Sequence, residues 1–573
     1  MPYAFRYGPL PIEQGRTRFR LWAPSVNRVT LQLEGTDDRV MLRNEDGWHE
    51  AAAECDAGTR YKFGIGDVAV PDPASRMQDR DVHDWGVVTD PTSYQWQHAA
   101  WSGRPWEETV LYELHPGLLG GFTGIQHHLE RLAALGVTAV ELMPIADFPG
   151  ERNWGYDGVL PFAPDRAYGT PDELKALIDT AHSLRLMVFL DVVYNHFGPD
   201  GNYLPLYAPQ FFDESKHTPW GAAINFRHPA VRRFFIENAI YWLTEFRFDG
   251  LRFDAVHAIG DKTFLPELAR EARDAVGPAR HVHLVAENDE NESGLLRGGF
   301  DAQWNDDLHH VLHVLLTGEH QGYYEDYSRN PAAKLARCLS EGVVYQGDPS
   351  PFRDGETRGT STSGLSPAAF VFFLQNHDQI GNRAFGERLS VLADAATLEA
   401  AVALQLLAPQ IPLIFMGEET GAREPFFYFT DHRDPKLAEA VREGRRREFT
   451  KFPEFADEQK RSRIPDPNAL ETFQRSIPNL KENATTARYA ELLQVRQQHL
   501  FARLRGVVSE GAQAIGPAAV IAHWRLDDGA RLTIACNLGK GAVTAPFRDA
   551  EPLWGEWSGG NLAPSTTVVW IEP

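Results

Sequence analysis

AFVFFLQNHDQIGNR, Ala369 to Arg383, begins as an uninterrupted apolar run and breaks abruptly into Gln375, Asn376, His377 and Asp378. The run reads as a strand buried on both faces. A core strand that ends in four polar side chains, one of them a carboxylate, must pair those groups or use them, because unpaired buried polar groups are costly. On its own the stretch allows either a satisfied structural network or a reaction site.

Its neighbours decide the fold. Comparable short apolar runs occur as TVLYELH from Thr109, VTAVELMP from Val137, LMVFLDVVY from Leu186, FDGLRFDA from Phe248, HVHLVAEN from His281, FDAQWND from Phe300 and PLIFMGEE from Pro412. Amphipathic helical stretches such as GIQHHLERLAALG and TPDELKALIDTAHSLRL lie between many of them. Strands alternating with helices imply βα units and a parallel sheet, and eight such strands imply a closed (β/α)₈ barrel of the TIM type. The stretch from about Gly318 to Pro367 reads as loop and small insertions rather than one helix.

The flanks have a different texture. Up to about Trp101, alternating runs such as TRFRLWA and RVTLQLEG are punctuated by Gly, Asp and Pro, the pattern of an antiparallel β domain. From about Gly506, GPAAVIAHWRL, ARLTIACNL and TTVVWIE again read as strands with turns. The expected organisation is α/β: an N-terminal β-sandwich over residues 1–100, a catalytic barrel with loop insertions over 101–505, and a C-terminal antiparallel β domain over 506–573.

The formal net charge of −23 argues against nucleic acid as a partner and disfavours an anionic membrane surface. A neutral, polar substrate fits. Cys55, Cys338 and Cys536 are far apart and odd in number, so neither a disulfide framework nor a zinc ribbon is expected, and a reducing cytoplasm is the simpler location. MPYAFRYGPLPIEQG has no signal-peptide pattern, and AVALQLLAPQIPLIFMG is interrupted by Gln405, Pro409, Gln410 and Pro412, so no membrane span is expected.

In such a barrel the working groups sit at the C-terminal strand ends. The third strand closes on Asp191 and runs into Asn195 and His196; the fourth closes on Arg252 and Asp254; the fifth on Glu287; the seventh on Asn376, His377 and Asp378; the eighth on Glu418 and Glu419. Crowded carboxylates raise one another's pKa, so convergence on one rim points to function. Two carboxylates flanking a bond are what glycoside cleavage needs, one ionised and one protonated. Arg252, two residues before Asp254, faces the same way on a strand and keeps that carboxylate ionised. VAENDEN offers Glu287 no basic neighbour, so its pKa is expected to rise, as suits a general acid.

DVVYNH (Asp191–His196), GLRFDAVHAI (Gly250–Ile259), LVAEN (Leu284–Asn288) and FFLQNHDQ (Phe372–Gln379) resemble the four consecutive motifs of the α-amylase superfamily of glycoside hydrolases. The resemblance implies Asp254 as the nucleophile of a retaining mechanism and Glu287 as the general acid and then base, roughly 5–5.5 Å apart. It implies Asp378 as the third carboxylate, which binds sugar hydroxyls and helps distort the ring. Arg252, His196 and His377 would orient these carboxylates and the sugar. Tyr156 in WGYDG would be the aromatic platform, and Trp154, Asp191, Asn195, His257 and Asn376 would complete the substrate-binding set.

WGYDG and WNDDLHH (Trp304–His310) resemble the branch that holds glycogen branching enzymes, isoamylases and maltooligosyltrehalose trehalohydrolases. GEETGAREPFFYFTDH (Gly417–His432), AVREGRRREFTKF (Ala440–Phe452) and IPDPNALETFQRS (Ile464–Ser476) are similar to the last of these. That family hydrolyses the α-1,4 bond next to the terminal trehalose unit of maltooligosyl trehalose. The resemblance implies an α-glucan substrate, no cofactor, and a pathway link to a maltooligosyltrehalose synthase. The rivals are a branching enzyme, an isoamylase-type debranching enzyme, and a barrel that binds glycan without catalysis. One segment departs from the family: HPGLLGGFTG, His115 to Gly124, replaces a longer turn after the first strand. His309 and His313 have a spacing zinc could use, but no HExxH accompanies them, and no metal site is expected.

Overall fold

The computed structural model describes residues 3–12, 15–218, 221–452, 455, 457–545, 551–557 and 559–573. All eight expected strands form, in order, and close into a parallel barrel. They are β1 (Leu111–Leu114), β2 (Ala139–Leu142), β3 (Met187–Val192), β4 (Gly250–Phe253), β5 (His283–Ala286), β6 (Ala302–Trp304), β7 (Phe370–Phe373) and β8 (Ile411–Phe415). Each is buried along its whole length, which is why the sequence shows continuous apolar runs rather than alternation.

The barrel interior is a packed core. Leu111, Ala139, Met187, Phe189, Val285, Ala302, Val371, Phe373, Ile411 and Leu413 fill it together. Trp106 joins the same core, its indole N–H donating to the Ala368 carbonyl at 2.7 Å. Gly250 is required here, because a Cβ would lie 2.1 Å from the Phe189 ring. Above this apolar layer the inward positions turn ionisable, with Glu113 on β1, Glu141 on β2, Asp191 on β3 and Arg252 on β4, all buried. The change in chemistry along one set of strands carries the interior from scaffold to site.

The N-terminal region forms two antiparallel sheets. Their inner faces meet where Phe19 and Tyr61 pack with ring centres 4.9 Å apart. The region is tied to the barrel by Glu237, whose carboxylate accepts the backbone N–H groups of Arg6 and Tyr7. At the other end, Val508–Gly516, Ala519–Arg525, Arg531–Asn537 and Thr566–Glu572 form a four-stranded antiparallel sheet. Between Gly318 and Pro367 loop alternates with short elements, the longest of them the helix Pro331–Glu341, which packs against Asp306–Thr317 and the C-terminal sheet. Among the described residues, no helix is long and apolar enough to cross a membrane.

Candidate active site

Arg252 organises the centre. Its side chain is fully buried and lies over the Trp304 ring, 4.2 Å from the ring centre. Nη1 donates to Asp191 Oδ2 at 2.7 Å and to Asp254 Oδ1 at 2.8 Å, and Nη2 lies 2.9 Å from Glu287 Oε2. One cation therefore serves three carboxylates from β3, β4 and β5. Asp254 follows β4 directly, and its other oxygen accepts Asn195 Nδ2 at 2.7 Å. The next residue, Ala255, adopts a left-handed conformation with φ of 41°. That turn aims its N–H at Glu287 Oε2, 2.8 Å away.

Glu287 thus has a basic neighbour, which its own strand end did not reveal. Its pKa is nevertheless raised: burial dominates, Arg252 opposes it, and Asp254 adds to it. Asp191 is pushed up to about 7 by burial, with Arg252 working against the shift.

Tyr156 and His377 form the opposite wall. Their rings stack at 5.2 Å with an interplanar angle of 22°. Tyr156 Oη donates to Asp191 Oδ2 at 2.6 Å and lies 2.8 Å from His377 Nε2. His377 Nδ1 pairs with Glu113 Oε1, and its backbone N–H donates to Glu113 Oε2 at 3.2 Å. Burial alone would lower the His377 pKa, but the Asp378 and Glu113 carboxylates outweigh it and push it up to about 9. His196 braces the wall from below, with Nδ1 paired to Asn195 and Nε2 3.0 Å from the Tyr156 carbonyl.

The polar end of AFVFFLQNHDQIGNR is a capping box. Asn376 Oδ1 accepts the Asp378 N–H at 2.9 Å, and Gln379 reaches back to the Asn376 N–H, starting the short helix His377–Gly381. This presents Asp378 to solvent with a side-chain exposure of 33%, while Asn376 stays buried as the cap. Trp154 is a buried wall: its ring stacks on Phe426 at 5.2 Å and its N–H donates to the Phe427 carbonyl. Gly381 makes room for it, since a Cβ there would lie 2.0 Å from the indole.

The cleft has two arms that share Glu287, Asp378 and Asn382. The larger, about 640 Å³, is lined by Trp154, Tyr156, His196, Asp254, His257, Tyr428 and Arg445. The smaller, about 350 Å³, is lined by Asp306, His310, Tyr323, Phe352, Arg353 and Arg358. Of the expected site residues, Asp254, Glu287, Asp378, Tyr156, Trp154, His196 and His257 line the cleft. Arg252, Asp191, Asn195, His377 and Asn376 support it from behind.

One expectation changes. Glu418 and Glu419 do not join the other carboxylates. Beyond β8 the chain makes a 3₁₀ turn, Glu418–Thr420, and Glu419 is taken by Arg131 at 2.8 Å and Tyr112 at 3.0 Å. The basic run EGRRREF divides: Arg445 turns inward to donate to the Gly381 and Arg383 carbonyls at 2.6 and 3.0 Å, while Arg446 pairs with Glu443. The HPGLLGGFTG segment contributes no residue to either arm; His115 is committed to the Asn153 carbonyl at 2.8 Å.

His309 and His313 are absorbed by the core, paired with the Leu374 carbonyl and Glu319 respectively. Among the described residues no group of three or more His, Cys, Asp or Glu could hold a metal ion. Sequence reasoning missed Glu113, Arg353 and Arg358. Glu113 lay inside a quoted strand, but its inward orientation depends on register, and the arginines lie in stretches without a strand-end signal.

Comparison with known proteins agrees with this geometry. Residues 74–220 match the alpha amylase catalytic domain, and residues 509–570 match DUF3459, a domain of unknown function. The chain is 42% identical to the malto-oligosyltrehalose trehalohydrolase of Saccharolobus solfataricus, covering 76% of this chain and 79% of that one. It is 41% identical to the Deinococcus radiodurans protein of the same name, covering 86% and 83%. A Salmonella typhimurium crystal structure, named as an alpha amylase, superposes with a TM-score of 0.94 at 43% identity over the whole of both chains. Sharing this identity across most of its length, and carrying the site's carboxylates on the ends of an amylase-type barrel, the chain belongs to the malto-oligosyltrehalose trehalohydrolase family of glycoside hydrolases.

Proposed function

We propose that the protein is a retaining glycoside hydrolase that cleaves the α-1,4-glucosidic bond next to the terminal trehalose unit of maltooligosyl trehalose, releasing trehalose and a maltooligosaccharide. The observation that carries the mechanism is the shared guanidinium of Arg252, which approaches both Asp254 and Glu287. Two carboxylates on one small cation favour the close spacing of a retaining enzyme, roughly 5–5.5 Å, over the roughly 6.5–9.5 Å of an inverting one.

In the first step an Asp254 oxygen bonds to the anomeric carbon as the glycosidic C–O bond breaks, and Glu287 gives its proton to the departing oxygen. In the second, Glu287 takes a proton from water, whose oxygen displaces Asp254. Raised by burial, Glu287 is suited to begin protonated. Asp254 lies 2.8 Å from the Arg252 guanidinium. Asp378 would hold sugar hydroxyls and help distort the ring, with Tyr156 as its platform and His196, His377 and Arg252 orienting the groups.

The general acid must touch the leaving side. The smaller arm contains Glu287 without Asp254, so it is the fitting place for the leaving trehalose. The larger arm contains both carboxylates and would take the maltooligosaccharide. Tyr323 and Phe352 offer apolar faces to sugar C–H surfaces, and Arg353 is held beside them by Glu290 at 2.7 Å.

As part of the same proposal, residues 1–100 are a glycan-binding-module-like β domain, 101–505 the catalytic barrel and 506–573 a closing β domain. Free cysteines at 55, 338 and 536 suit a cytoplasmic setting. The substrate requires an enzyme that first builds a trehalose end on a glucan chain.

Product analysis tests this assignment. Maltotriosyl trehalose should give trehalose and maltotriose, with linear amylose little changed. Branched products from amylose would move the assignment to a branching enzyme, and turnover of branched glucan alone to a debranching one.

A further inference from the structure

Two glutamates meet beneath the floor of the cleft, and the reaction set out above uses neither. Glu113 on β1 and Glu141 on β2 are register partners, and each is 1% exposed. Their surroundings differ sharply. Glu113 has one oxygen on the His377 ring and the other on the His377 backbone N–H. Neither oxygen of Glu141 has a hydrogen-bond partner.

We propose that Glu113 is a positioning residue of the reaction, holding His377 as a doubly protonated cation against Tyr156 and Asp378, while Glu141 is its neutral neighbour. The inference rests on the glucosidic-bond cleavage proposed above.

Hydrogen counting supports the assignment. With Asp191 ionised, Tyr156 Oη gives its one hydrogen to Asp191 Oδ2 at 2.6 Å. Its 2.8 Å contact with His377 Nε2 therefore needs a hydrogen on Nε2. The pairing of Nδ1 with the Glu113 carboxylate needs a second hydrogen on Nδ1. A ring that donates from both nitrogens is an imidazolium, and the carboxylate on Nδ1 is its counter-charge.

The other charged and titratable groups facing this ring do not replace Glu113. From β1, His115 is kept neutral by burial, its pKa pushed down to about 4. From β2, burial and then the Glu113 and Asp191 charges push the Glu141 pKa well up, so it carries no charge to offer. From β3, Asp191 is occupied by Tyr156 and Arg252. From β4, Arg252 repels the cation. Asp378, on the same short helix and 3.5 Å from Nε2, also favours the cation by its charge, and Glu113 adds to its own charge a hydrogen bond on Nδ1. Without Glu113 the imidazolium loses its proton at lower pH, Tyr156 loses a donor, and the wall of the sugar site loosens.

The test applies one substitution to both glutamates in the full chain. Glu113→Gln removes a charge; Glu141→Gln replaces a neutral acid with a neutral amide of the same shape. kcat and KM for maltotriosyl trehalose are measured from about pH 5 to about pH 8 for each. The deficit in kcat of Glu113→Gln should grow by about tenfold or more across that range, whereas Glu141→Gln should stay within about twofold of the parent throughout. A deficit in Glu113→Gln that is constant with pH, or the same behaviour in both variants, would overturn the proposal. Should Glu113→Gln fail to fold, Glu113→Asp keeps the charge and should keep the parent's pH dependence at reduced kcat; a steeper loss with pH in that variant contradicts the assignment.

Ring ¹⁵N spectra of His377, assigned by their loss in His377→Gln, need no substrate. Both nitrogens should be protonated near neutral pH in the parent, and a neutral ring there refutes the pairing. Failure of the trehalohydrolase assignment would appear instead in the parent's products.

Discussion

Asp254 and Glu287 sit against the two terminal nitrogens of a single buried guanidinium, at 2.8 and 2.9 Å. The cation that pairs with Asp254 is therefore also next to the carboxylate expected to begin protonated. Their hydrogen-bond partners differ. Asp254 is held by a direct hydrogen bond from Arg252 and a second from Asn195. Glu287 has the raised pKa, with burial its largest cause.

Glu287→Gln removes the proton donor and Asp254→Asn the nucleophile. Each should lower kcat by about 10²-fold or more, the scale of lost acid–base catalysis. Thermal unfolding of Glu287→Gln should stay near the parent's, because an isosteric neutral amide replaces an acid that begins protonated. Steady-state kinetics beside calorimetry checks this, and parent-like turnover in either variant would remove that residue from its role.

Arg252→Met leaves Asp191, Asp254 and Glu287 without their shared cation. Removing one member of a buried ionic group typically costs about 3–5 kcal/mol. Without the guanidinium the carboxylates hold their protons to higher pH, so the stability deficit should shrink as pH falls from about 7 to about 5. Urea unfolding at both values reads the effect, and a deficit that widens on acidification would contradict it.

Phe352 is 52% exposed yet lines the arm assigned to trehalose. Phe352→Ala should raise KM for maltotriosyl trehalose by about tenfold, equivalent to about 1.4 kcal/mol of binding, with kcat little changed. Equal KM values in the two proteins would place the leaving group elsewhere.

Burial pushes the Glu418 pKa up to about 8. Between the ordinary carboxylate range and that value the folded chain keeps a proton that the unfolded chain has released. The sign follows: stability falls as pH rises through this window, by at most about 1.4 kcal/mol per pH unit for this one group. Glu418→Gln removes the dependence, so the variant should gain on the parent between about pH 5 and about pH 8. Parallel Tm profiles would rule this out.

The fold was largely legible because its logic is local. A strand of a parallel barrel is buried on both faces, so each of the eight appeared as an apolar run, and the site carboxylates followed directly at the strand ends. What escaped depended on contacts across the chain. Glu113 pairs with a histidine 264 residues away, and nothing in YELH distinguishes that glutamate from a strand-edge charge. Glu418 and Glu419 followed a strand as the other acids did, but one 3₁₀ turn sends Glu419 to Arg131. In EGRRREF the burial of Arg445 depends on which face of its helix meets Tyr428 and Gly381, and three adjacent arginines give no hint of that.

The central claim is that Asp254 and Glu287 work as a closely spaced pair, the first attacking and the second donating. The most direct test is proton NMR of the maltotriose released from maltotriosyl trehalose, recorded before mutarotation. Retention predicts that the new reducing end appears first as the α-anomer. First appearance of the β-anomer would mean that water, not Asp254, attacks the sugar carbon, and would contradict the mechanism.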